Sequence, residues 1–158
     1  MSNRKWLAVM VVACAVAFVA GREPWGGLVV QAKGPALTAL DYQEITQLIN
    51  GSTWNVNFPI EVRVVPGDDL WLSTAHGRDT AYIACHMYQG TRFEEYFKAV
   101  EQVLVGHEGR PHWGKMHTRD AEYLGKAYPR FEDFLGVRDR VDPKRLFANE
   151  YTRRVFGE

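Results

Sequence analysis

The 158-residue sequence is short of several things that usually announce a function. It has two cysteines, Cys14 and Cys85, in unrelated surroundings, which argues against a disulfide framework or a cysteine-rich zinc site. Its 19 basic and 19 acidic residues cancel, so no global field draws it to nucleic acid and no acidic tail is present. There is no Gly-rich phosphate loop behind a strand, no Gly-x-Ser-x-Gly elbow and no His-Glu-x-x-His pair. Nucleotide fingerprints, serine acyl transfer and a zinc-protease site therefore have no support. His112 and His117 lie in a loop without cysteine neighbours, so no metal site is expected. Internal repeats and low-complexity tracts are also missing.

The longest apolar run, Trp6 to Ala20, has 15 residues and follows Arg4 and Lys5. It is short for a bilayer-spanning helix and suits the apolar part of an export signal. Residues 1–21 are therefore expected to be a signal-like or anchor segment with membrane contact through residues 6–20; a buried helix is the competing reading. Without such a signal the chain would be cytoplasmic. Residues 22–37, rich in Gly and Pro, read as a linker to a domain over 38–158.

What is present is one domain's worth of patterned sequence. Leu40, Ile45, Leu48 and Ile49 recur at helical spacing before an Asn50-Gly51 stop. Ile60 to Val65, bounded by Pro59 and Pro66, reads as a short strand, with Glu61 and Arg63 on one face and Ile60, Val62 and Val64 on the other. A solvent-facing ion pair is the plainer reading of Glu61 and Arg63. Ala81 to Tyr88 reads as a second strand, with Tyr82, Ala84, His86 and Tyr88 opposite Ile83, Cys85 and Met87. His86 alone would more often be a satisfied strand residue than a functional one. Thr91-x-x-Glu94 predicts a capping box opening a helix whose stripe, Phe93, Tyr96, Phe97, Val100, Val103 and Leu104, belongs to a core. Two short helices are expected at Asp120–Tyr128 and Phe131–Arg140. Together these elements predict an α+β fold, an antiparallel sheet with helices packed on one face.

The densest polar chemistry lies in Gly109-Arg110-Pro111-His112-Trp113-Gly114-Lys115, a run with neither helical nor strand period. Arg63, Lys115 and Arg110, with Glu61 beside one of them, form a set suited to gripping a hydroxylated, electron-rich ligand and to stabilising developing negative charge.

Phe58-Pro59-Ile60-Glu61-Val62-Arg63, the His-bearing Ala81–Tyr88 segment, the Gly-Arg-Pro-His-Trp-Gly-Lys run and the ending Arg138-Asp139-Arg140-Val141-Asp142-Pro143 with Phe147-Ala148-Asn149 carry a resemblance. They resemble the sugar-lactone oxidases: the D-arabinono-1,4-lactone and L-gulono-1,4-lactone oxidases or dehydrogenases, related to alditol oxidase. The likeness runs from about Leu40 to the end. It implies the substrate (cap) domain of vanillyl-alcohol-oxidase-type flavoenzymes and hydride transfer from a sugar-lactone carbon to FAD. It implies further that Glu61, Arg63 and Lys115 act catalytically and contact substrate, Arg63 stabilising reduced flavin. His86 and Tyr88 would line the pocket, and His112 and Lys115 would face the flavin. Family members are more than twice this long and carry a separate FAD-binding domain. The chain is thus expected to need a separately encoded FAD domain and to have little activity alone. A non-catalytic sugar-binding or membrane-anchored remnant is the alternative, and an inert truncated product a third.

Overall fold

The computed structural model describes the backbone of residues 25–157 and the side chains of residues 42–157. The expected signal-like segment lies outside the described residues. Among the described residues no helix is long and apolar enough to cross a membrane.

The elements run β1 (Trp25–Lys33), α1 (Gly34–Asn50), β2 (Glu61–Val65), β3 (Thr80–Tyr88), α2 (Glu94–Gly106), β4 (Arg110–Pro111), α3 (Ala121–Ala127), α4 (Phe131–Val141) and α5 (Glu150–Phe156). The four strands form one sheet in the order β2-β3-β1-β4, with every neighbouring pair antiparallel. The fold is α+β, as expected.

Alternation along β3 organises the core. Ile83, Cys85 and Met87 are buried together with Ile45 of α1 and Tyr96, Phe97, Val100 and Leu104 of α2. The α2 stripe is therefore core, and Leu48, Ile49, Phe93 and Val103 pack around it. A second cluster, Leu124, Tyr128, Phe131 and Val155, joins α3, α4 and α5, with Trp113 and Phe156 packed against it.

Register fixes which side chains share the other face. Arg63 pairs with Tyr82, Tyr82 with Gln31, and Gln31 with Arg110, so these four positions form one row across the sheet. Arg110 meets the second cluster on that face, 5.4 Å from the Tyr128 ring, and the Tyr82 hydroxyl lies 3.0 Å from Thr74 Oγ1 in the loop before β3. The sheet is thus held by one helical layer behind it and, at one end of its front, by a second.

Two expectations need correction, and one helix was not predicted. The Gly/Pro stretch read as linker contains β1, which lies between β3 and β4 and hydrogen-bonds to both. Its Leu28-Val29-Val30 centre has strand propensity that the flanking glycines masked. The capping box at Thr91 does not form. Phe93 is the N-cap without a side-chain cap, and Thr91 Oγ1 donates instead to the Tyr88 carbonyl in the turn that ends β3. A capping box does form at α5, a helix the sequence pattern did not predict: Asn149 Oδ1 accepts from Thr152 N at 2.9 Å, and Thr152 Oγ1 from Asn149 N at 2.8 Å.

Candidate active site

Pro59 and Pro66 confine β2 to a few residues, and pairing with β3 sets its faces. Arg63 Nε donates to Glu61 Oε1 at 2.5 Å, with the two side chains 51% and 37% exposed. They form the ion pair that strand alternation called for, and they sit on the front of the sheet. Directly opposite them on β3 are Tyr82 and the small Ala84; His86 and Tyr88 follow on the same face. Phe58 lies across both, its ring 5.2 Å from that of His86 and 5.4 Å from that of Tyr88. His86 pairs on its other side with Gly27, which has no side chain. The result is a low floor at Ala84 and Gly27, bounded by Tyr82, by the Phe58–His86–Tyr88 aromatic wall and by the Glu61–Arg63 pair. Phe58 and Tyr82 were not expected in this role. Tyr82 was legible from its shared face with His86, whereas Phe58 depends on how the chain bends at Pro59.

The loop after β4 is tied down residue by residue. Tyr123 Oη donates to Gly109 O at 2.6 Å and Tyr128 Oη to Pro111 O at 2.9 Å. Trp113 Nε1 donates to Leu72 O at 2.9 Å, its ring packs on Tyr128 and Phe156, and Tyr151 Oη donates to Trp113 O at 2.7 Å. Beyond Lys115, the buried carboxylate of Glu101 on α2 accepts from Thr118 N at 2.8 Å, Thr118 Oγ1 at 2.5 Å and Arg119 Nη2 at 3.3 Å. Five elements and loops thus hold this segment, and no local pattern in the sequence announces Glu101 or Tyr151 as its anchors.

Within the loop, His112 Nδ1 accepts from Gly114 N at 3.0 Å, and Lys115 N donates to His112 O at 3.0 Å. Burial, then the Lys115 charge, holds the His112 pKa below its ordinary value. A neutral imidazole that accepts at Nδ1 carries its proton on Nε2, so His112 can donate from that atom. Arg110 is a correction: it is buried, and its guanidinium donates to the carbonyls of Ala127 (2.8 Å), Thr74 (3.1 Å) and His76 (2.9 Å). It fastens the fold and does not grip a ligand. Cys85 is buried, which pushes its thiol up to about 11 and leaves it no nucleophilic role. Among the described residues no group of three or more metal-ligating side chains is present.

Glu61 and Arg63 lie on one edge strand and β4 on the other, three strand spacings apart, or ~14 Å. From Arg110 the chain runs from the Arg63–Tyr82–Gln31 row to the next, Val62–Ile83–Val30–Pro111, and so heads toward the row that holds Glu61 and Ala84. The loop that carries His112 and Lys115 therefore leaves β4 at the level of the row that holds Glu61.

A family profile described as D-arabinono-1,4-lactone oxidase matches residues 36–155. The chain is 51% identical over 115 residues to the L-gulono-1,4-lactone dehydrogenase of Mycobacterium tuberculosis, covering 73% of this chain and 27% of that protein. It is 35% identical to the L-gulonolactone oxidase of Scyliorhinus torazame, covering 69% and 26%, and 35% identical to the alditol oxidase of a Streptomyces species, covering 75% and 29%. It spans about a quarter of the length of these relatives. The matched region includes β2, β3 and the clamped loop, and the chain belongs to the D-arabinono-1,4-lactone oxidase family.

Proposed function

We propose that this chain supplies the substrate-facing part of an FAD-dependent aldonolactone oxidoreductase and acts with a flavin-binding polypeptide that holds most of the cofactor. The observation that carries this reading is the Glu61–Arg63 pair on the front of the sheet, beside the Phe58–His86–Tyr88 wall. FAD is the cofactor that the resemblance to the sugar-lactone oxidases implies. The donor set fits one edge of a flavin: a neutral His112 with Nε2–H, a Lys115 ammonium and an Arg63 guanidinium suit an electron-rich ring edge. A pyrophosphate would need a Gly-rich turn after a strand, which the sequence does not offer. His112 and Lys115 would hold the ring edge, and FAD, when bound, would accept a hydride from the hydroxyl-bearing carbon of the lactone.

The chain's own residues do the rest. Glu61 Oε1 is engaged by Arg63, so Oε2 is placed to accept a hydrogen bond from a ring hydroxyl and orient the carbon that bears it. Arg63 and Lys115 would stabilise negative charge that develops on the bound ring and substrate. The aromatic wall packs against the apolar face of the sugar ring and excludes water there. Residues 6–20 are proposed to bring the chain to a membrane or export route, which fractionation of cells expressing the chain with and without them would test.

The test is to mix the chain with FAD and a flavin-binding polypeptide of the family, then add L-gulono-1,4-lactone without oxygen and follow flavin absorbance. Bleaching is expected with the mixture, and little with the chain and FAD alone. Arg63→Ala and Lys115→Ala should each slow bleaching by ~100-fold, the range seen when one charge-stabilising donor is lost. An unchanged rate for Arg63→Ala refutes its role. Lactone binding without bleaching would favour a sugar-binding surface devoid of redox chemistry.

A further inference from the structure

β2 has β3 on one side, and the described residues place no strand on its other side. An open edge of this kind is a template for another strand, and proteins usually blunt it with lysines, an internal proline or a bulge. β2 carries none of these: Pro59 and Pro66 lie outside Glu61–Val65, and its two charges neutralise each other.

The back of the sheet changes character abruptly at this strand. Ile83 and Ala81 are 0% exposed, yet Val62 and Val64, their cross-strand partners, are 37% and 63% exposed. Core packing reaches Ile60, just before this strand, and leaves Val62 and Val64 outside it. A strand bearing β-branched residues on a face that is core one strand away is an interior strand left at the margin. The front of the same strand carries Glu61 and Arg63 in water, where an ion pair is weak and screened.

We propose that β2 is completed by an extended segment of a second polypeptide, which pairs with its outer edge and brings an apolar cover over Val62 and Val64. The proposal rests on the reading given above, and its partner is the flavin-binding polypeptide of that reading. Two observations select this occupant over a second copy of the chain. Antiparallel self-pairing centred on Val62 would set Glu61 opposite Arg63 of the other copy, but the core leaves Val62 and Val64 outside it in each copy, so neither set of valines would gain a helical cover. A pairing of two strands of about five residues also falls short of the area a stable dimer needs. In contrast, the relatives have roughly three-quarters of their length outside the matched region, enough to supply both strand and cover. Strand addition would also take Glu61 and Arg63 partly out of water, where their charges act more strongly on a bound lactone.

The probe is the part of the M. tuberculosis L-gulono-1,4-lactone dehydrogenase that this chain does not match, loaded with FAD. Amide exchange over residues 60–66 should slow at least tenfold on mixing, and Val64→Lys should weaken association at least tenfold. Leu70→Lys, at another exposed apolar residue, should leave it unchanged. No association, unaltered exchange in β2, or full affinity in Val64→Lys overturns the proposal. Protection of β2 in the chain alone that rises with concentration, is lost in Glu61→Arg and returns in Glu61→Arg/Arg63→Glu, identifies a second copy and also overturns it. Protection of β2 without bleaching by lactone sinks the redox reading and leaves the interface standing.

Discussion

Replacing Arg110 tests whether the cation that looks most like a ligand grip is in fact a fastener. Its guanidinium donates three hydrogen bonds to the carbonyls of Thr74, His76 and Ala127, tying β4 to the 70s loop and to the end of α3. Burial, then the neighbouring Arg78, lowers its pKa. Removing a buried charged partner of this kind costs about 3–5 kcal/mol, because the carbonyls lose their donors and the site does not refill. Against a total stability of about 5–15 kcal/mol, Arg110→Ala would leave a marginal fold. Arg110→Lys is the sharper variant: an ammonium on a flexible stem keeps the charge but cannot span all three carbonyls in one plane, so about 1.5–2.5 kcal/mol should be lost. Urea unfolding followed by tryptophan fluorescence, with m unchanged, reads this directly. A Lys variant within about 0.5 kcal/mol of the parent would refute the fastening role and return Arg110 to the list of ligand contacts.

Three further outcomes are expected. Glu101→Gln keeps the shape but turns an amide NH2 toward donors of Thr118 or Arg119, so it should cost about 2 kcal/mol in urea unfolding and raise exchange at the Thr118 amide. Burial, then Arg154, lowers the His117 pKa to about 4, from 6.5 in the unfolded chain. The unfolded state therefore binds more protons between those values: stability is complete above about pH 6.5 and falls as pH drops toward 4, by ~1–2 kcal/mol once screening at this half-buried ring is allowed for. His117→Gln should flatten that part of the stability–pH curve. Asn149→Ala removes one half of the α5 capping box and should lower stability by about 1 kcal/mol by thermal or urea unfolding, with an effect under half of that placing the α5 start elsewhere.

What could be read from the sequence was what local periodicity encodes. Two prolines left room between them only for a strand, and a period of two then placed Glu61 with Arg63 and His86 with Tyr88 without knowledge of any partner. The helix stripe from Phe93 to Leu104 was legible for the same reason at a period of 3.6. What escaped depends on residues far apart in the chain. Arg110 reads the same whether its guanidinium meets solvent or three carbonyls, and those carbonyls lie at residues 74, 76 and 127. β1 is a strand because β3, far along the chain, pairs along its whole length, while its glycines locally spell a loop. Thr91 and Asn149 make the same point in opposite directions: similar motifs, one diverted by the turn that ends β3 and the other realised.

The two clusters divide the work in a way that bears on how the site can act. The first, behind β3, fixes the faces of the sheet and so points Glu61, Arg63, His86 and Tyr88 to the front. The second fixes the loop, since Trp113 packs among Tyr128 and Phe156 and its carbonyl is held from α5. Arg110 is the strut between them, because it sits on the sheet's own cross-strand row and bonds to the end of α3. The strand that carries Glu61 and the loop that carries Lys115 are therefore each held by backbone pairing and by buried hydrogen bonds. Catalysis by fixed charge requires that arrangement, because groups that need not reorganise when charge develops are the ones that lower a barrier. It follows that loosening Arg110 should impair bleaching in the reconstituted mixture even though Arg110 touches no ligand. Arg110→Lys should then slow bleaching while leaving its dependence on lactone concentration nearly unchanged, and Arg63→Ala should alter both.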